Sequence, residues 1–136
     1  MNTIGKKNMI FGFAYIIITV CLGIFLGNKL GTTDPNWANS TAHHLLKAAH
    51  AHGNLEGVLN IIIGLILCRY GSKTLMLTKV ASILAIAAAV FHSGMLLLGG
   101  LGLLFAMKLG IFGGVSMLAT MILMIVILYK GVTEEQ

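Results

Sequence analysis

The sequence predicts an all-α integral membrane protein, a four-helix bundle with both termini in the cytoplasm. Four apolar blocks, residues 8–27, 45–68, 75–98 and 103–129, each reach the ~20 residues that a helix needs to cross a ~30 Å hydrocarbon core. The chain of 136 residues is 57% hydrophobic and 10% charged, with a mean hydropathy of +0.94, too apolar for an ordinary soluble domain. Its single proline, Pro35, lies between blocks, and no block alternates in hydrophobicity as the ~10-residue strands of a membrane β-barrel do. The chain therefore reads as one transmembrane domain over residues 1–136, with helices over about 8–28, 43–69, 75–98 and 103–130.

Helix 1 is preceded by Lys6 and Lys7 and runs on from Met9. Its apolar run exceeds the ~7–15 residues of a signal-peptide core and no small-x-small cleavage site closes it, so it reads as a retained span. The connection over residues 29–44 is the longest. Asp34-Pro35-Asn36 is turn chemistry, and Ser40 or Thr41 can cap helix 2. Trp37 is expected to anchor this loop at the membrane interface, with His43 and His44 also interfacial, and the loop is long enough to cover the outer mouth of a pocket. Tyr70-Gly71-Ser72-Lys73 and Gly99-Gly100-Leu101-Gly102 are tight turns, which put helices 2, 3 and 4 in consecutive antiparallel contact. Gly23-x-x-x-Gly27 and Gly110-x-x-x-Gly114 have the spacing of close helix packing in lipid. Cys21 and Cys68 fall at opposite depths and read as buried small apolar residues, not as a disulfide.

Orientation follows from the cations. Lys6, Lys7, Arg69, Lys73, Lys79 and Lys130 flank one side, while Lys29 lies in the first loop and the 99–102 turn is uncharged. The positive-inside rule then places both termini in the cytoplasm, as for a bacterial-type inner membrane protein. The basic pI of about 9.5 is explained by topology and implies no nucleic-acid partner.

Function points to helix 2, where His50, His52, Asn54, Glu56 and Asn60 interrupt an apolar span. Ionisable groups in such a span are expensive and are kept mainly where they act. At ~100° per residue, His43, Lys47, His50, Asn54 and Gly57 form one stripe, and His52, Glu56 and Asn60 a second. With two polar stripes, the helix is expected to be surrounded by protein or cofactor. At 1.5 Å per residue, His50 lies ~8–10 Å below the outer boundary, and His92 and Lys108 come to a similar level. His50, His52, His92 and Lys108 thus form an outer polar layer that Glu56 and Asn60 continue toward the midplane.

Imidazole at such a site suits heme iron, copper or zinc. Glu56, with His52 at i−4 to pair with it, suits a general acid/base or a hydrogen bond to substrate. Gly57 removes bulk below His50, where a large flat ligand could lie. Each histidine can equally be a hydrogen-bonded packing residue, and Lys108 can snorkel outward. Zinc hydrolysis is poorly supported, since His-Glu-x-x-His and paired cysteines at ligand spacing are absent, and so are Gly-x-Gly-x-x-Gly and Walker loops.

Ala49-His50 followed by Leu55-Glu56-Gly57 resembles the second helix of the styrene oxide isomerases, small four-helix membrane enzymes with Ala-His and then Leu-Asn-Gly at the same offset. Leu55-Glu56-Gly57-Val58-Leu59-Asn60 is also similar to the Leu-Glu-Gly-Val-Met-Asn stretch of the hydroxylaminobenzene mutases. The four-helix plan matches across nearly the whole chain, and the residue identity lies within about a dozen positions of helix 2. The resemblance implies a heme b at a homotrimer interface, its ferric iron acting as Lewis acid on a small apolar epoxide that enters from the lipid bilayer. It implies His50 as the metal ligand, with His52 as the alternative and Gly57 beside the cofactor. Glu56 takes the place of that family's substrate-pocket Asn, with Asn54 and His92 nearby. His92-Ser93-Gly94 precedes Met95-Leu96-Leu97, where that family has its catalytic Tyr; helix 3 of this chain has none. Should His92 be a second axial ligand, the expected function becomes electron transfer or sensing. A transporter or structural subunit without cofactor is the third class.

Overall fold

The computed structural model describes residues 3–31, 35–71 and 74–132. Helix α1 covers Ile4–Leu30, α2 Pro35–Ala38, α3 Thr41–Tyr70, α4 Leu75–Phe91, α5 Ser93–Gly100 and α6 Gly110–Val132, with a 3-10 segment, Leu104–Leu109, before α6. Among the described residues there is no strand. Four helical stretches are long and apolar enough to cross a membrane: α1, α3, α4 with α5, and the 3-10 segment with α6. Their outward faces carry Ile10, Phe13, Ile17, Ile24, Ile83, Leu118, Ile122 and Ile125, all exposed, the surface that lipid tails would cover.

The first and last described residues gather at one end of the bundle. Gly5 abuts Gly64 and Cys68 of α3, and Gly131 abuts Tyr70, so the first turn of α1 and the last turns of α3 and α6 lie together. At the other end Ser40, with extended backbone, caps α3 by accepting from His43 N at 3.1 Å. Gly102, at φ 103°, turns the chain out of α5, a conformation that favours glycine.

Helices α1 and α3 approach through glycines, as small residues allow in lipid. A methyl on Gly12 would stand 2.5 Å from the Gly57 carbonyl oxygen, and one on Gly57 would stand 2.5 Å from Ile16 Cγ1. Gly5 and Gly64 repeat the contact two turns away. Of the two expected Gly-x-x-x-Gly pairs, Gly23 packs closely on the His50 ring of α3, while Gly27 and Gly114 face open space. Gly57 accordingly serves packing, and α1 fills the room that the sequence left for a flat ligand. Beyond it, Ala81, Ala85, Ala88 and Ala89 of α4 are fully buried, and Ile63, Leu67, Met124 and Ile127 close the core toward the terminal end.

A polar brace ties three helices together. Asn8 of α1 donates to Asn60 Oδ1 of α3 and to the Ser82 carbonyl of α4, both at 3.0 Å. Asn60 donates in turn to the carbonyls of Glu56 at 3.0 Å and Ala85 at 3.1 Å, and Ser82 Oγ donates to Asn8 Oδ1. Asn8 and Asn60 are fully buried and fully engaged, so Asn60 is structural.

Several expectations need correction. The third span is not one helix over 75–98: it breaks at His92, whose backbone sits at φ −98°, ψ −82°. Without a proline, the cause is local. The Ala89 carbonyl is taken up by the Tyr15 hydroxyl at 3.1 Å and by Ser93 Oγ at 3.3 Å, and Gly113 of α6 packs directly on the His92 backbone. The fourth span begins as a 3-10 segment, and Lys108 on it is exposed. His43, in the first turn of α3, is buried beneath Trp37, its Nδ1 2.8 Å from the Ala38 carbonyl. Cys21 is exposed on the outside of α1, whereas Cys68 is buried as expected. The 70–73 turn and the Asp34 turn fall partly outside the described residues.

Candidate functional site

The polar layer expected from the sequence separates into two adjoining clusters on different sides of α3, with Gly53 between Thr19 of one and Ser93 of the other. The glycine contacts turn the first stripe toward α1, and the Asn60 bonds turn the second toward α4 and α5.

The cluster on the α1 side holds His50 and Asn54. His50 Nδ1 lies 2.7 Å from the Thr19 carbonyl, a bond in which the imidazole N–H must be the donor. That fixes the tautomer and leaves the lone pair on Nε2. Asn54 stands beside the ring, its Nδ2 3.3 and 3.5 Å from the two ring nitrogens, and its Oδ1 accepts from Thr19 Oγ1 at 2.6 Å. Gly23 gives the ring its place against α1. A carbonyl-oriented imidazole with its other nitrogen unprotonated is the arrangement that metal-ligating histidines use, so His50 is the residue of this cluster that could hold a metal, its Nε2 lying against Gly23 and 3.5 Å from Asn54 Nδ2.

The second cluster is built on Glu56, which is 5% exposed. One carboxyl oxygen meets His92 Nδ1 at 2.6 Å, and the other accepts from Ser93 Oγ. Ser93 Oγ is also 2.8 Å from the Tyr15 hydroxyl. Tyr15 and Ser93 each share one hydroxyl proton, Tyr15 between the Ala89 carbonyl and Ser93 Oγ, Ser93 between Ala89 and Glu56, and the contacts run Tyr15 to Ser93 to Glu56 to His92. The break at His92 makes this possible by placing two consecutive side chains, His92 and Ser93, on the same carboxyl group. Sequence reasoning paired Glu56 with His52 at i−4; the partner is instead His92. His52 is exposed and packs edge-on against the His92 ring at a centroid distance of 4.8 Å.

Beside this cluster lies a cavity of about 450 Å³ between α3 and α6. Glu56, His92 and His52 form its polar part, and Leu55, Leu59, Met117, Leu118 and Met121 its apolar walls. Leu55 and Leu118 are exposed on the outside of the bundle, so the cavity opens sideways into the lipid-facing surface. His92 is 38% exposed there, and its Nε2 has no hydrogen-bond partner among the described residues. The arrangement presents one imidazole N–H or lone pair to an apolar guest, backed by a buried carboxyl group. Gly113 and Gly114 keep α6 free of side chains opposite His92.

Of the residues singled out in the sequence, the structure joins Glu56, His92 and His52 at one cavity and His50 and Asn54 at a separate edge, leaving Lys108 outside both. Tyr15 and Ser93 were missed. Their only signal in the sequence was a hydroxyl in an apolar span, which by itself reads as interfacial or packing. Among the described residues, no group of three or more His, Cys, Asp or Glu side chains is placed to hold a metal ion. The chain matches no family model, no curated protein and no solved structure.

Proposed function

We propose that this is a membrane-embedded isomerase that acts on a small apolar molecule taken from the bilayer, with His92 and Glu56 as its acid/base pair. The observation that carries this reading is the buried carboxyl group bonded to a histidine that lines an apolar, laterally open cavity and whose second nitrogen has no hydrogen-bond partner among the described residues. An isomerisation needs no oxidant or co-substrate, only a group that gives and takes back a proton. For an epoxide, protonated His92 gives its Nε2 proton to the ring oxygen and a C–O bond breaks. A hydrogen then shifts with its electron pair from the oxygen-bearing carbon to the cationic carbon. The oxygen proton returns to Nε2 and an aldehyde leaves. Glu56 stabilises the imidazolium and orients the ring, and Ser93 and Tyr15 hold the carboxyl group. The excess of Lys and Arg at the end bearing both termini supports a cytoplasmic location for that end.

The test is gas-chromatographic detection of phenylacetaldehyde from styrene oxide added to proteoliposomes. We expect turnover by the native chain and a loss of at least about 100-fold in His92→Gln and Glu56→Gln, within the range for general acid/base groups. Turnover that survives both substitutions would remove the pair from its role.

A second reading rests on the Nδ1 bond of His50 to Thr19. In it, His50 would hold heme b at the edge of the α1–α3 pair in a homotrimer, with Asn54 beside the ring. The iron would supply a Lewis acid or an electron carrier. Absorption spectra of detergent-purified protein and of His50→Ala test it. A Soret band present in the first and lost in the second supports this reading, and a colourless native protein rejects it.

A further inference from the structure

A second opening, of about 250 Å³, lies at the end bearing both termini, between α1 and α4. Its lining is Ile4, Lys7, Lys79, Ser82 and Ile83. Its charge distinguishes it from the acid/base cavity. Among the described residues it carries two cations and no anion, and neither lysine has an ion-pair or hydrogen-bond partner. Beside Ser82 its remaining walls are Ile4 and Ile83, with Ile83 67% exposed toward the lipid side. Two ammonium groups at the rim of an apolar groove, where a span leaves the hydrocarbon, match one ligand class: a phosphate carrying acyl chains.

We infer that this groove binds one anionic phospholipid, with Lys7 and Lys79 on its phosphate and Ile4 and Ile83 along the first carbons of a chain. The site adds to the seam between α1 and α4. At its floor Ser82 donates to Asn8, so a lipid here sits directly above the brace that holds α1 to the rest of the bundle. Lys7 belongs to α1 and Lys79 to α4, and one phosphate shared between them opposes separation of the two helices.

Native mass spectrometry of the full chain, released from nanodiscs of phosphatidylcholine with a small fraction of phosphatidylglycerol, tests the inference. One phosphatidylglycerol should remain bound per chain. A Lys near an anionic surface contributes roughly a five-fold gain in affinity, so Lys7→Gln/Lys79→Gln should weaken retention about thirty-fold. Lys108→Gln, which lies on the far end, should leave retention within about two-fold. Thermal stability gives the second readout, with phosphatidylglycerol raising the midpoint of the native chain and not of the double variant. Equal retention in the double variant overturns the inference, as does an equal loss in Lys108→Gln, which would mean a net-charge effect. If inorganic phosphate alone reproduces the stabilisation, the acyl chains play no part and the lipid assignment fails. Glu56 and His92 take no part in any of these outcomes.

Discussion

Replacing Glu56 separates the bonding in the cluster from its charge. Glu56→Ala removes the acceptor of His92 Nδ1 and of Ser93 Oγ, and it leaves a void beside residues that are themselves buried. An interhelical hydrogen bond in a membrane protein contributes ~0.6–1.7 kcal/mol, and an ionised partner roughly doubles a bond. Two such bonds, set against the relief that Ser93 keeps Ala89 as an acceptor and His92 can face the cavity, give a loss of about 3 kcal/mol. For a chain of this size that is about 10 °C in unfolding temperature. Glu56→Gln has the same shape: its oxygen can accept from His92, and its amide can donate to Ser93 Oγ while Ser93 turns its proton to Ala89. Its loss should be about 1 kcal/mol. A thiol-reactive dye can follow thermal unfolding in detergent through buried Cys68, in a Cys21→Ser background because Cys21 is exposed. If Glu56→Gln melts as low as Glu56→Ala, charge and not bond geometry holds the site. If Glu56→Ala melts like the native chain, the network contributes nothing to stability.

Other substitutions probe the packing and the cavity. Gly12→Ala drives a methyl into the Gly57 carbonyl and should cost about 1–3 kcal/mol in thermal stability, while Gly114→Ala, which meets nothing, should be neutral or slightly stabilising. Met117→Trp fills the cavity from the apolar side; styrene oxide turnover should fall to background with the unfolding temperature within a few degrees of native. Asn60→Ala strips the brace of its central member and should cost about 2 kcal/mol by the same dye assay, with no change in the phospholipid retained at Lys7 and Lys79.

The four spans were legible because crossing a bilayer demands length and apolarity, which composition displays directly. The two stripes on the second span were legible too, since helical periodicity alone assigns His50, Asn54 and Gly57 to one side and Glu56 and Asn60 to another. What periodicity could not supply is the identity of the neighbour each stripe meets. Gly57 read as room for a ligand because its occupant, Ile16, lies 41 positions earlier in the chain. Glu56 read as paired with His52 because i−4 is the nearest titratable group on its own helix. The true partner depends on a break at His92 that no proline announces and that Tyr15 and Gly113 impose from two other helices. Tyr15 and Ser93 escaped for the same reason: a hydroxyl acquires meaning only from what it faces.

The brace at Asn8 has a bearing on how the chain is made. Asn8 is synthesised 52 residues before Asn60 and 74 before Ser82. The first span therefore enters the membrane with an amide that finds its native partners only after two further spans have been threaded. Until then its cheapest station is the aqueous rim or the flank of the insertion machinery. Firm seating of the opening segment thus becomes a late event in biogenesis, and a nascent chain halted after its second crossing would remain loosely held.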